Sequence, residues 1–424
     1  MHLTRAADDE TITRRVADHL PGSVAEALAL AAGLTTADAS SADAPPVPVP
    51  GAGRTADLWR ALAVLAAHDV ALARAVEPHL DAVAILTQAA DTAGTAGTAA
   101  AGLGPGTTSE ATGVALPARA SSTGFTWGVF AAEGPPGAAP RLEARPTAST
   151  TAPGDEEARL ASPEAAPRPS AHGPASAWRL SGEKPWCSLA GELDGALVTA
   201  WVGDERRLFA VDLHQPGVEV VAGAWHARGM AEIPSGPVRF VEVEAFPVGA
   251  PGWYLRRAGF EWGGIAVASC WYGGAVGVAR ALHAAAVRRD PDPWLLRALG
   301  VVDERLGDAR RALAEAAELV DAGAASGAEG RLLAKRVRGT VAHAAEGVLA
   351  AVAHALGPAP LASDATHAKR VADLELYLRQ HHAEKDDASL GGAVRDRALA
   401  AGASAPGGSA PAGSAPATTG VDPW

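Results

Sequence analysis

Four stretches of this chain, residues 36–54, 91–123, 134–176 and 401–424, are rich in Ala, Gly, Pro, Ser and Thr and lack apolar periodicity. Such segments bury too little apolar surface to offset the entropy of ordering the backbone, so loops or disorder are expected there. A fold must therefore be assembled from the blocks between the cuts, and the apolar period of those blocks changes along the chain. It is helical, then strand-like, then helical again. This order predicts an α+β protein: an N-terminal helical domain (1–123), a β-domain with a disordered insertion at 134–176 (124–247), a C-terminal helical bundle (248–400) and a disordered tail (401–424).

In the first block Thr55 is positioned to cap a helix carrying Leu58, Leu62 and Leu65. A second helical run passes through Leu72, Val76, Leu80 and Val83 to Leu86, with Pro78 inside it, so a kink or break near His79 is expected. The second block holds short β-branched or aromatic runs at 125–132, 178–181, 196–202, 208–213, 218–224 and 238–245, separated by turn residues. Strands without intervening helices predict an antiparallel sandwich or barrel. The third block predicts a four-helix bundle: a Gly-rich core helix over 261–289, then helices over 293–322, 329–356 and 364–384, the last capped by Ser363 or Asp364.

Several function classes are excluded by charge and composition. Lys plus Arg number 36 against 48 Asp plus Glu, a net charge of −12 without a basic stripe, so no nucleic-acid partner is expected. Cys187 and Cys270 have no CxxC spacing, so neither a metal site nor a disulfide framework is expected. The start, MHLTRAADDETITRR, lacks an apolar h-region, and the uncharged run from 263 to 279 falls short of the ~20 residues of a membrane span. No membrane partner and a cytoplasmic location are the expectations.

The aromatic balance is unusual, with 11 Trp against 6 Phe and 3 Tyr, and one of those tryptophans leads to chemistry. Gly182-Glu183-Lys184-Pro185-Trp186-Cys187-Ser188 follows the strand Trp178–Ser181 and resembles the G-x-K-x-[Trp/Phe]-x-[Ser/Thr] segment of the acyl-CoA dehydrogenase family. Gly229-Met230, Ser235-Gly236, Val238–Phe240 and Val248 are similar to the stretch that closes that family's β-domain, and Arg370-Val371-Ala372-Asp373 to its R-x-x-R-D segment. The likeness covers roughly 55–90 and 124–390. It implies the family's α, β, α fold, a homodimer or homotetramer, and FAD held by Lys184, Trp186 and Ser188 together with Ala132 and Gly357. Ala132 stands where the family has a flavin-contacting threonine, and Gly357 begins what remains of a G-G-x-G-Y loop.

The implied reaction is α,β-dehydrogenation of an acyl-CoA or similar substrate, with electron-transfer flavoprotein or a flavin reductase as redox partner. A proton acceptor is then required. Counting from Asp373, the position that usually holds the catalytic glutamate falls near His381. His382 continues the stripe Val371, Leu374, Leu378, and Glu261 opens the Gly-rich helix, where some family members carry the base. Two other readings stay open. One is a two-component flavin monooxygenase on the same fold, and the other a non-catalytic binding protein that has lost the cofactor. The same residues would also serve as a strand corner with a core Trp, a helix end whose histidines face the macrodipole, and an acidic first helical turn.

Overall fold

The computed structural model describes residues 12–35, 49–92, 114–134, 141–147, 177–288 and 290–403. Four helices come first: α1 (Ile12–Asp18), α2 (Val24–Thr35), α3 (Thr55–His68) and α4 (Val70–Thr92). The first two were not read from sequence. The carboxylate of Asp57 caps α1 by accepting from the main-chain N–H of Ile12 (3.0 Å) and Thr13 (3.3 Å). Thr55 is not the cap of α3 but its first helical residue; its hydroxyl donates to Asp321 Oδ1 at 2.6 Å and its N–H to Asp321 Oδ2. The expected break near His79 is also displaced. α4 continues as helix past Pro78 without a break, and the chain breaks instead at Asp69, which is extended and caps α4 through Ala71 and Leu72. A proline inside a helix costs roughly 3 kcal/mol, and α4 is buried around nearly its whole circumference, which outweighs it.

Among the described residues seven strands follow: β1 (Trp127–Phe130), β2 (Glu143–Pro146), β3 (Trp178–Lys184), β4 (Gly195–Val202), β5 (Glu205–Asp212), β6 (Val218–Val220) and β7 (Val238–Val248). The pairings β4–β2, β2–β3, β3–β7, β7–β5 and β5–β4 return to their starting strand, with β1 added on β4 and β6 on β7. The expectation of antiparallel pairing throughout is corrected at two places, because β1 and β2 both run parallel to β4 (Trp127↔Gly195, Glu143↔Trp201). β2 lies within the stretch expected to be a disordered insertion; 135–140 and 148–176 of that stretch are outside the described residues.

The C-terminal part comprises α5 (Trp253–Arg256), α6 (Ala258–Arg288), α7 (Pro293–Asp321), α8 (Gly327–Leu356), α9 (Ala359–Ser363), α10 (Ala365–Tyr377) and α11 (Glu384–Ala403). α8 packs against α6 and α7, and α6 against α3 and α4. Helix α6 is long and apolar enough to cross a membrane, yet 78% of its most apolar window is buried inside the fold. Its glycines explain the close packing. A Cβ on Gly273 would collide with the carbonyl oxygen of Ala63 on α3, so only glycine lets the two backbones meet. Asp364 caps α10 by accepting from His367 N–H at 3.0 Å. The single helix expected over 364–384 does not form. α10 ends at Tyr377, a 3₁₀ turn covers Leu378–Gln380, and Ala383 turns left-handed (φ 47°) before α11 begins. α11 lies on α8, with Lys335 Nζ donating to Ser389 Oγ at 2.7 Å.

Candidate functional site

The corner after β3 holds two of the left-handed non-glycine residues of the described backbone. Trp186 (φ 61°) and Leu189 (φ 56°) are both left-handed without being glycine, a conformation that costs of order 1–3 kcal/mol each. The corner is held in place by the loop before β7. Cys187 N–H donates to Gly236 O (3.0 Å), Leu189 N–H to Pro234 O (2.8 Å), and the hydroxyls of Ser188 and Ser235 share a hydrogen bond of 2.7 Å. The result is an indole that stands 58% exposed, backed by the buried Cys187, whose thiol burial pushes far above its usual range.

Beside that corner lies a small pocket where α4 meets β1 and the 188–193 segment. Arg74, Pro78, Trp127, Phe130, Ser188 and Leu189 line it. Arg74 joins the pocket to the helical core: its Nη2 donates to Ser188 Oγ at 3.1 Å and its Nη1 lies 3.7 Å from Glu77 Oε2. Glu77 is buried, and burial raises its pKa to about 7 against the pull of Arg74. Around it are Cys270 of α6, Arg338 of α8 and Tyr377 of α10, all coupled to its charge. Arg338 stacks over the Trp271 ring at 4.7 Å. Arg74 Nη1 and Trp271 Nε1 are buried without a hydrogen-bond partner among the described residues. Sequence reading missed this cluster. Its signal was present, since Arg74, Glu77 and Asp81 are spaced three and four apart, a charged stripe in the mostly apolar first half of the helix.

The residues expected at the site separate into groups. Trp186 and Ser188 are together at the corner. Lys184 points elsewhere: only 1% exposed, its ammonium donates to Glu133 Oε1 (2.6 Å) and Thr199 Oγ1 (2.8 Å), while Glu133 also accepts from Trp201 Nε1 (3.3 Å). Burial lowers the Lys184 pKa, and the bond to Glu133 works against that. Ala132 is exposed just past β1. Gly357, far from both in sequence and left-handed (φ 64°), ends α8 by donating its N–H to Ala353 O, with open space where a Cβ would stand.

The three expected bases also part company. His381 is buried against Trp271 (6.3 Å, edge on) and His343 (5.9 Å), and burial lowers its pKa while Asp386 partly restores it. His382 does not continue the stripe of α10, because the helix has ended; its side chain is exposed and lies 3.5 Å from Asp386. Glu261 is half-buried on α6, its pKa raised by burial and drawn back by Arg331, Lys335 and Arg338 of α8. The matched segments at 229–230 and 370–373 do meet. Asp373 accepts from Met230 N–H, and a Cβ on Gly229 would strike Ala372 O. Lys369 lies between Asp69, Glu232 and Asp373 at 2.6–2.9 Å; burial opposes its charge, but these hydrogen bonds prevail and raise its pKa. This junction fastens α10 to α4 and the sheet.

No family model and no curated protein matches the chain. Solved structures do. A KijD3 in complex with FMN and dTDP-3-amino-2,3,6-trideoxy-4-keto-3-methyl-D-glucose superimposes with a TM-score of 0.65 at 18% identity, covering 92% of this chain and 93% of that one. The dibenzothiophene monooxygenase TdsC from Paenibacillus sp. A11-2 gives 0.63 at 17%, covering 90% and 94%. A Mycobacterium smegmatis protein assigned to the acyl-CoA dehydrogenases gives 0.58 at 13%, covering 86% and 84%. At such identities the likeness establishes the fold, which is acyl-CoA dehydrogenase-like.

Proposed function

We propose that this chain is a flavin-dependent oxidoreductase, and within that class a monooxygenase that works with reduced flavin and oxygen. The observation that carries the reading is the Trp186 corner, an exposed indole on strained backbone with the Ser188 hydroxyl two residues on. These residues fit a flavin ring: the indole offers a flat face for stacking, and the hydroxyl offers a hydrogen bond. Ala132, Lys184 and Gly357 do not extend the fit, being respectively without a polar side chain, engaged with Glu133, and used as a helix terminus. A tightly gripped FAD is therefore not required by this chain, and FMN is the simpler occupant. KijD3 and TdsC have both been solved with FMN, which supports the same choice.

When bound, the flavin supplies the redox chemistry. The chain's own residues do the rest. Trp186 would stack on the ring and the Ser188 hydroxyl would face it, held in orientation by Ser235 and Arg74. Trp127, Phe130 and Leu189 contribute apolar walls to the small pocket next to Ser188. The oxygenase reading is favoured over dehydrogenation by His381, which stands where a carboxylate base is expected but is packed against two aromatic rings with a depressed proton affinity. Dehydrogenation draws its own support from Glu261, a carboxyl of raised pKa on the core helix. Val287, Trp294 and Leu296 are each exposed near the α6–α7 connection, which supports a homo-oligomer.

Stopped-flow mixing distinguishes the two chemistries. Protein that binds reduced FMN, consumes oxygen and leaves acyl-CoA thioesters untouched behaves as proposed. Protein that retains oxidised FAD and is bleached by an acyl-CoA thioester is a dehydrogenase.

A further inference from the structure

The direction of each hydrogen bond around Ser188 follows from counting protons. A serine hydroxyl donates once and accepts through two lone pairs. Ser235 lies on the loop before β7, and its hydroxyl donates to the main-chain oxygen of Ile233 at 3.0 Å. That uses its single proton, so in the 2.7 Å bond between the two hydroxyls Ser188 donates and Ser235 accepts. Ser188 Oγ also accepts from Arg74 Nη2 at 3.1 Å, which occupies one of its lone pairs. One lone pair is left for a ligand. Ser188 can therefore accept a further hydrogen bond and has no proton to give. Turning Ser235 round to donate to Ser188 would surrender the bond to Ile233, and a neutral hydrogen bond of this kind disfavours the reversed order by a factor of about three to ten.

A flavin ring changes its donors and acceptors with its redox state. The nitrogens of the central ring in oxidised flavin include one that only accepts, and reduction converts it to an N–H. A hydroxyl with only a lone pair to offer meets the first as an unpaired contact and bonds the second. We propose that the site selects reduced over oxidised flavin, and that Ser235 is the positioning residue that sets this preference by holding the Ser188 proton. The inference rests on the function proposed above, because it is the ring beside Trp186 that meets this hydroxyl. It suits a chain that takes up flavin already reduced elsewhere and releases it once oxidised.

Anaerobic fluorescence titration of the full chain with FMN and with dithionite-reduced FMN measures the preference, and the midpoint potential of the bound flavin measures it independently. The wild type is expected to bind reduced FMN about five-fold or more tighter than oxidised FMN, which for a two-electron couple places the bound midpoint about 20 mV or more above that of free FMN. Ser235→Ala frees the Ser188 proton, so oxidised FMN binds tighter and the preference is lost, while Ser235→Thr keeps it. Ser188→Ala also loses the preference, but through weaker binding of the reduced form, which keeps the test open should Ser235→Ala not fold. A Ser235 that merely supports its loop would weaken both forms alike on removal and leave their ratio and the potential unchanged; that result overturns the proposal. Equal affinity of the wild type for the two forms also overturns it, and leaves the flavin reading standing. If the wild type binds neither form, the flavin reading itself fails and the selectivity falls with it.

Discussion

Lys184 and Glu133 allow a test in which the two halves of one ion pair behave very differently. Glu133→Ala leaves an ammonium that is 1% exposed with the Thr199 hydroxyl as its remaining acceptor. Breaking a buried pair in this direction costs about 3–5 kcal/mol. The loss is capped, because the amine can shed its proton instead; neutralising an ordinary lysine at neutral pH costs about 5 kcal/mol, and burial already moves Lys184 that way. Lys184→Met removes the other partner, yet the Glu133 side chain is 29% exposed and keeps Arg206 at 3.5 Å and Trp201 Nε1 at 3.3 Å. An apolar chain of similar volume then fills the buried channel, and the cost is about 0–1 kcal/mol. Urea unfolding of both variants at neutral pH, with Lys184→Met/Glu133→Ala to close the cycle, measures the difference. The double variant is expected to recover most of the Glu133→Ala loss. If Lys184→Met proves as damaging as Glu133→Ala, the ammonium is needed for something other than its pairing with Glu133, and the asymmetry argued here is wrong.

Two buried groups set opposing pH dependences. The main-chain N–H of Trp127 donates to His79 Nδ1 at 3.0 Å, which puts the ring proton on Nε2, 2.7 Å from Thr35 Oγ1; burial lowers this pKa from 6.5 to about 4. The unfolded chain holds more protons there, so about 3 kcal/mol of stability disappears as pH falls from 6.5 to 4, and His79→Asn should flatten that limb in pH-dependent denaturant midpoints. Glu77 is raised from 4.5 to about 7, so the folded chain holds more protons and about 3 kcal/mol is lost as pH rises across that window. Glu77→Gln should therefore make the protein more stable at neutral pH and expose a steeper acid limb; a destabilised variant at neutral pH contradicts the raised pKa. Gly273→Ala forces α6 away from Ala63 and should lower the thermal midpoint by the equivalent of about 1–3 kcal/mol, and an unchanged midpoint would show that the two helices are not in backbone contact.

Much of the architecture was legible before the coordinates. The change of apolar period located the strands from Trp178 to Val248 and the helices that flank them, and of the two cap candidates before the last periodic run, Ser363 and Asp364, the structure uses Asp364. What escaped was structure imposed from outside the segment. β2 is Glu-Ala-Arg-Pro with one buried residue, Ala144, and it is a strand because β3 and β4 pair with it. Helix α4 survives Pro78 because neighbours cover it, and α10 stops at Tyr377 although its apolar stripe reads on to His382. The site divided in the same way. Trp186 and Ser188 are local to one strand corner and could be read from a short segment, whereas Arg74 lies 114 residues from the serine it touches. Its stripe with Glu77 and Asp81 looks solvated until α6, α8 and α10 close over it.

The reading of this chain as a flavoprotein depends most on Trp186. Fluorescence titration of FMN and FAD against the wild-type chain and Trp186→Ala measures that dependence, with the unfolding midpoint as control. Because the indole is exposed, its removal should leave the midpoint within about 0.5 kcal/mol of wild type. Micromolar binding of FMN by the wild type, weakened about ten-fold or more in the variant, is the expected result. Binding of neither flavin by the wild type, or equal binding by both proteins, would contradict it.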